Sequence, residues 1–324
     1  MKFILDQTKI KEAMTKLGKV MNAKSSIPIL SGVLVEAQSE CILFTGSDGT
    51  ESVIQRIPLE EGIASVETVG KAVLSKDCLE VAKKLKGLIT FEMVDTNILV
   101  SQEKTKLEFS ILDAEEYPRV AGELSKNPII LSGQEFFNMV NKTAFAASTS
   151  ETRPILQGVN MSFNQNGNVF VATDSHRLGK VALGKAAVDQ VITIPAKTLE
   201  YAAKSFDLDR EVFIFPSDIQ IAFLNGNTIL YSRLLEGVFP DTSRLIPQEY
   251  QSNLVVNRKE FLDALDILTI MSKNSVVNLK VSSLFVELSG HGETSNGYKE
   301  IAFESYDGDE GFMISFSAVE RTSL

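Results

Sequence analysis

Apolar positions recur at two spacings along this chain, and the switch from one to the other marks out its elements. Lys2–Leu5 is an apolar run of strand length, and Ile10, Met14, Leu17 and Val20 then form a stripe at helical spacing, predicting a helix over about Gln7–Val20. A polar connection, NAKSSIPIL (22–30), leads into a strand with Pro28 near its start. Residues 65–120 replay the plan: a strand over Val66–Val73, a helix from Lys76 to Leu85, and three short strands. Residues 128–247 repeat both halves, with LSGQEFFNMVNKTAFAAS opening one helix, TSETRPIL (149–156) entering the next strand and KTLEYAAKSF (197–206) forming the second helix. Asn166-Gly167 and Asn225-Gly226 mark hairpins. SNLVVNRKEFLDALDIL (252–268) begins the plan a third time, followed by strands around Val276–Val281 and Phe285–Leu288.

The repetition is literal in places. FTGSD (44–48) and FVATD (170–174) stand 126 positions apart, as do IPIL (27–30) and RPIL (153–156), and KFIL (2–5) and PIIL (128–131). Leu199-Glu200-x-Ala202 echoes Leu79-Glu80-x-Ala82, Phe239-Pro240 echoes Tyr117-Pro118, and Lys259–Leu262 follows Gln134–Phe137 at an offset of 125. A period of about 120 residues far exceeds that of stacked solenoid repeats, so these are repeated domains. Each unit is a pair of strand–helix–strand–strand–strand halves, an α+β layer arrangement of two helices on antiparallel sheet. The expected divisions are 1–122, 123–248 and 249–324, the last lacking most of its second half.

Composition excludes more than it proposes. Apolar residues make up 44% and charged residues 23%, ordinary values for a globular chain, and no apolar run approaches the roughly 20 residues of a membrane span. The N-terminus lacks a signal peptide's apolar core. Cys41 and Cys78 have no metal-ligand spacing and read as buried thiols of a reducing cytoplasm. Asp174, Ser175 and His176 are a triad's residue types, yet three consecutive residues on an extended segment point to alternating faces and cannot hydrogen-bond in series. With His176 and His291 the only histidines, no phosphate-binding glycine loop and no ligand cluster, no catalytic residue, metal or cofactor is expected. Net charge is −10, which disfavours gripping nucleic acid by bulk electrostatics but leaves open a basic surface. Such a surface has candidates: the first helix carries Lys9, Lys11, Lys16 and Lys19 against Glu12, and the second carries Lys76, Lys83, Lys84 and Lys86.

VATDSHRLG (171–179), GVFPDTSRLIP (237–247), the Pro-Ile-Leu strand starts and the three-copy plan together resemble the bacterial DNA polymerase III beta subunit family, the beta sliding clamps, over nearly the whole chain. The resemblance implies a DNA-clamp fold and a non-enzymatic processivity factor of the cytoplasm and nucleoid. Two chains would join head to tail into a ring of repeated domains, with helices lining the hole and duplex DNA inside. Lys24, Arg153, Lys83, Lys197 and Lys204 would face DNA through weak, sequence-independent phosphate contacts. A groove between the second and third domains would take short motifs from the polymerase catalytic subunit, an ATP-dependent clamp loader and repair proteins. Its walls would be Leu156, Thr173, His176, Arg177, Leu178, Pro240 and Leu245, an apolar slot with a polar rim. Glycine is usual in the family at the position of Ser175. Val81, Leu85, Leu107 and Phe109 would meet Ile270 and Met271 of a partner chain. A shortened third domain implies an alternative, a clamp paralogue that cannot close a ring and regulates or titrates clamp partners.

Overall fold

The computed structural model describes residues 1–21, 27–118, 124, 127–165, 167–184, 189–247, 249–309 and 311–318. They form two compact units, Met1–Phe239 and Pro240–Leu324. Five α-helices occur among the described residues: α1 (Gln7–Leu17), α2 (Lys76–Ala82), α3 (Gly133–Thr143), α4 (Ala196–Ser205) and α5 (Arg258–Met271). Their starts are written locally. The side chains of Asp6, Ser75, Ser132 and Asn257 accept hydrogen bonds from the first-turn amides of α1, α2, α3 and α5, and Ser132 with Glu135 completes a capping box.

In the first unit both repeats share one core, running from Phe3 and Leu5 through Phe44, Phe91 and Phe136 to Phe223 and Leu230. A five-stranded sheet takes the order 64–68, 2–6, 88–94, 97–102, 105–110, and a four-stranded sheet the order 178–183, 168–173, 158–163, 190–195. The third sheet has eight strands and crosses the repeat boundary: strand Glu51–Pro58 of the first copy pairs antiparallel with Thr228–Arg233 of the second, Leu230 opposite Val53. The second unit repeats the first half of the plan. Strand Asn253–Val256 pairs with Phe303–Asp307, and a four-stranded sheet runs 296–301, 286–291, 276–281, 313–317, with α5 burying Ala264, Leu265 and Leu268.

Three details differ from the reading of the sequence. Pro28–Ser31 and Pro154–Gln157 are 3-10 turns preceding the strands, because proline's fixed φ and missing N–H suit the first position of a tight turn better than a ladder. The strand expected over Val66–Val73 is two strands, Ala64–Thr68 and Gly70–Leu74, broken at exposed Val69. The helices end earlier than their apolar stripes, α1 at Leu17 and α2 at Ala82, each followed by a looser turn that still buries Val20 and partly buries Leu85. The hairpin at Asn225-Gly226 is present, with Gly226 at φ +57° and Asn225 opposite Thr228; Asn166 lies outside the described residues.

Candidate functional site

Strand Asn168–Thr173 ends in a turn built by its own side chains. Thr173 Oγ1 accepts from the Ser175 amide at 3.1 Å and donates to the Arg177 carbonyl at 2.6 Å. Asp174 Oδ1 accepts from the amides of His176 (2.9 Å) and Arg177 (3.0 Å), and Oδ2 lies 3.0 Å from Arg177 Nε. Burial raises the Asp174 carboxyl, but the two amides and the guanidinium outweigh it and hold the group below its ordinary pKa. The carboxylate is therefore committed to the turn and not to a catalytic relay. Ser175 sits at φ +80°, and its hydroxyl accepts from Arg153 Nη1 at 3.3 Å, tying this turn to the Pro154–Gln157 turn that carries Leu156. Of the expected peptide-binding residues, the structure thus gathers Leu156, Thr173, His176, Arg177 and Leu178 on adjoining turns. Leu156 and Thr173 are buried, Leu178 half-buried, and His176 and Arg177 exposed. Pro240 and Leu245 belong to the second unit, both exposed.

The first copy contains the same turn. Ser47 Oγ accepts from the Gly49 amide at 3.1 Å and donates to the Glu51 carbonyl at 2.9 Å, while Asp48 Oδ1 accepts from the amides of Thr50 (2.8 Å) and Glu51 (2.7 Å). Gly49 holds φ +93° where the second copy has Ser175. Beyond this turn lies the joint between the copies, where Lys16, expected on a basic surface, meets polar side chains that the sequence did not single out. Lys16 Nζ donates to Thr228 Oγ1 at 2.7 Å, and Thr228 Oγ1 donates to Gln55 Oε1 at 2.8 Å. Thr198 Oγ1 donates to Glu51 Oε1 and lies 3.2 Å from Ser232 Oγ. Tyr201 OH donates to the Lys16 carbonyl at 2.9 Å. Burial raises the Glu51 carboxyl above its ordinary pKa, with Asp48 adding and the Thr198 hydroxyl and Lys197 opposing. The repeat carries no signal for this pairing: it aligns Glu51–Pro58 with the strand 126 residues on, Leu178–Leu183, which lies in a different sheet.

The expected basic positions divide. Lys197 and Lys204 are exposed on α4, Lys204 lying 3.9 Å from Glu200. Lys83 is half-buried and paired with both carboxylate oxygens of Glu80 at 2.9 Å, so its charge is largely spent within its own helix end. Arg153 serves the Ser175 turn. Lys24 lies outside the described residues.

Of the expected interface residues, Leu107 and Phe109 lie on an edge strand, Val81 on α2, Leu85 just after it, and Ile270 and Met271 at the end of α5. Thr105–Ser110 closes one side of the five-stranded sheet, and Leu107 and Phe109 pack partly buried against the core, as does Leu85; Val81 is half-buried on α2. In the second unit, strand Asn296–Ile301 closes the sheet, and the Met271 side chain lies against its Gly297, whose added Cβ would meet Met271 Cε at 2.9 Å. Ile270 beside it is 85% exposed. Among the described residues there is no cluster of three His, Cys, Asp or Glu that could hold a metal, and no helix long and apolar enough to cross a membrane.

Comparison with known proteins agrees with this architecture along the chain. Family models of the DNA polymerase III beta subunit match in order: the N-terminal domain at residues 1–121, the central domain at 130–241 and the C-terminal domain at 243–319. The chain is 36% identical to the beta sliding clamp of Bacillus subtilis, covering 98% of this chain and 88% of that protein. It is 34% identical to the beta sliding clamp of Staphylococcus epidermidis, covering 84% and 75%. The crystal structure of the Bacillus subtilis DNA polymerase sliding clamp superimposes with a TM-score of 0.91 at 33% identity, over 98% of this chain and 87% of that one. The beta subunit from DNA polymerase of Streptococcus pyogenes gives 0.91 at 27% identity, over 100% and 89%.

Proposed function

The chain belongs to the DNA polymerase III beta subunit family and is a DNA sliding clamp; from that premise we propose that it acts as a non-enzymatic processivity factor, two copies closing head to tail around duplex DNA. The observation that carries this reading is the joint between strands Glu51–Pro58 and Thr228–Arg233, together with two open edges that occupy the same places in the repeat. Asn296–Ile301 is the third-copy counterpart of Glu51–Pro58, and Thr105–Ser110 is the first-copy counterpart of Thr228–Arg233. A second chain can therefore make between subunits the ladder this chain makes within itself, a heterologous contact that closes after two copies. It also covers two strand edges that would otherwise invite indiscriminate pairing. Leu85, Leu107, Phe109 and Val81 on one side, with Ile270 and Met271 on the other, supply the apolar contact.

A ring retains DNA by topology, so weak phosphate contacts suffice and allow sliding. Lys197 and Lys204 are suited to this by exposure, Lys83 and Arg153 less so, and Lys24 rests on the resemblance. Leu156, Thr173, His176, Arg177 and Leu178 of the first unit, with Pro240 and Leu245 of the second, are proposed to take linear motifs of the polymerase catalytic subunit, the ATP-dependent clamp loader and repair proteins. The first five favour this role because the turn fixes the backbone and holds His176 and Arg177 exposed at the rim of an apolar contact. On this reading the domains divide at 1–122, 123–248 and 249–324, and the protein works in the cytoplasm on the nucleoid.

Light scattering at low micromolar concentration tests the ring. The expected mass is twice 35.6 kDa, with Ile270→Asp, an exposed position, weakening the dimer at least tenfold. Loaded protein should stay on closed circular DNA and leave on linearisation. A monomer that binds closed and linear DNA alike would sink the proposal.

A further inference from the structure

The sheet registers align three strands residue for residue. Val53 stands opposite Gly46, Gly179 opposite Ala172 and Gly297 opposite Gly290, which makes Ile54, Lys180 and Tyr298 equivalent. Thr105–Ser110 and Thr228–Arg233 align in the same way, Leu107 opposite Val100 as Leu230 is opposite Phe223. Among the described residues there are thus three edges of the first kind and two of the second. Glu51–Pro58 takes Thr228–Arg233 within the chain, so Asn296–Ile301 and Leu178–Leu183 both stand open to the one remaining edge, Thr105–Ser110 of another copy. Nothing in the backbone of Leu178–Leu183 disqualifies it. It pairs with Asn168–Thr173 over six consecutive residues without a bulge, carries no proline, and half-buries Leu178, Val181 and Leu183.

The side chains separate these two edges. The internal joint sets the register, Ile229 opposite Ile54 and Leu230 opposite Val53. Carried to Asn296–Ile301, that register puts Lys106 opposite exposed Tyr298 and diagonal to Glu300; carried to Leu178–Leu183, it puts Lys106 directly opposite exposed Lys180. Side chains opposite each other across a ladder stand about 5 Å apart at Cβ, and like charges there are destabilising. The one carboxylate of the incoming strand, Glu108, is only diagonal to Lys180, at roughly 7–8 Å, and it already accepts from Asn97 Nδ2 at 2.7 Å. We propose that Lys180 keeps a second chain's Thr105–Ser110 strand off the Leu178–Leu183 edge, so that head-to-tail pairing goes to Asn296–Ile301 and the ring closes at two copies. The inference rests on the ring reading and adds the means by which one strand tells two similar edges apart. Lys180 is the only charged side chain of its strand, and an exposed lysine on an edge blocks pairing while leaving the strand's own sheet intact. Pairing at the wrong edge leaves Asn296–Ile301 free to accept a further chain, so assemblies would grow instead of closing. The like-charge pair at this one position separates the two outcomes.

The test uses the full chain and light scattering from low to high micromolar concentration. Lys180→Glu sets opposite charges across the wrong ladder. It is expected to tighten association beyond the dimer about tenfold, seen as a mass that rises above twice 35.6 kDa with concentration. Lys180→Glu combined with Lys106→Glu restores a like-charge pair, so the heavier species should vanish, even though the loss of Lys106 also loosens the ring contact. Lys86→Glu makes the same change of charge at an exposed position outside any strand and should leave the dimer mass unchanged. A Lys180→Glu variant that stays dimeric at every concentration would overturn this role for Lys180 while leaving the ring standing. So would heavier species that persist in the double variant, or wild-type protein that already grows beyond the dimer. Wild type that is monomeric throughout would overturn both.

Discussion

Strands Glu51–Pro58 and Leu178–Leu183 leave equivalent turns at equivalent points of the repeat, yet the first lies inside an eight-stranded sheet and the second at the edge of a four-stranded one. The turns match hydrogen bond for hydrogen bond, from the Ser47 and Thr173 hydroxyls to the Asp48 and Asp174 carboxylates. What differs is the side chains beyond. Val53 is fully buried opposite Leu230, and Ser52 and Gln55 are buried polar groups, Gln55 answered by Thr228 across the joint. The second strand carries Gly179 and an exposed Lys180 at the positions of Val53 and Ile54, and Gly179 lets α3 approach so closely that a Cβ there would meet the Lys142 carbonyl at 2.7 Å. A turn is encoded by three or four neighbouring residues. A joint is encoded by complementary residues far apart, and a repeat that copies the first need not copy the second.

The sharpest way to break the comparison is to place a charge in each strand. Val53→Asp should cost more than about 3 kcal/mol in urea unfolding, since it buries an unpaired carboxylate at a fully covered position. Val181→Asp, on the half-buried edge strand, should cost clearly less. Equal losses would mean that the joint contributes nothing beyond the strand itself. Thr228→Val comes next, expected to cost about 1–3 kcal/mol because Lys16 and Gln55 both lose their partner; a loss that persists in a Gln55→Leu background would show that Lys16 accounts for it.

A reciprocal exchange probes the turns. Ser175→Gly should raise stability by about 0.5–1 kcal/mol by relieving a left-handed backbone, and Gly49→Ser should lower it by a similar amount. Thermal melts of both variants decide this, and a gain from Gly49→Ser would contradict the equivalence. The smallest effect concerns pH. A carboxyl whose folded pKa is raised holds its proton more tightly folded than unfolded. Glu51 therefore contributes stability that grows as pH falls through its folded pKa toward the ordinary glutamate value, and that is absent at neutral pH. Glu51→Gln should flatten that slope in melts between pH 4 and 7, with a stability change at pH 7 below about 1 kcal/mol.

The sequence made the local elements plain because their signals lie within a few residues: the apolar stripes, and the matching residues of the Asp48 and Asp174 turns, echoed 126 positions apart. It misled where one residue's preference competed with a pattern, as at Pro28 and Pro154, whose apolar neighbours looked like strand. Sites were legible in proportion to their compactness. Thr173 to Leu178 stand together in the chain as they do in space. Lys11 and Lys204, by contrast, line one cleft only because the fold brings two helices of different copies together. Lys83, read as part of a basic helix and expected from the resemblance to face DNA, is engaged by Glu80 three residues earlier, a pairing visible in the sequence once the helix is granted.

The joint between the copies also imposes an order on synthesis. Gln55 and Thr228 are 173 residues apart, and at roughly 5–20 residues per second a ribosome needs on the order of 10–35 seconds to traverse that span. Throughout that interval the Glu51–Pro58 strand has left the tunnel with one side of its backbone unanswered. The nascent first domain is therefore a half-finished sheet waiting for its own sequel, its Glu51–Pro58 edge open to other strands until then.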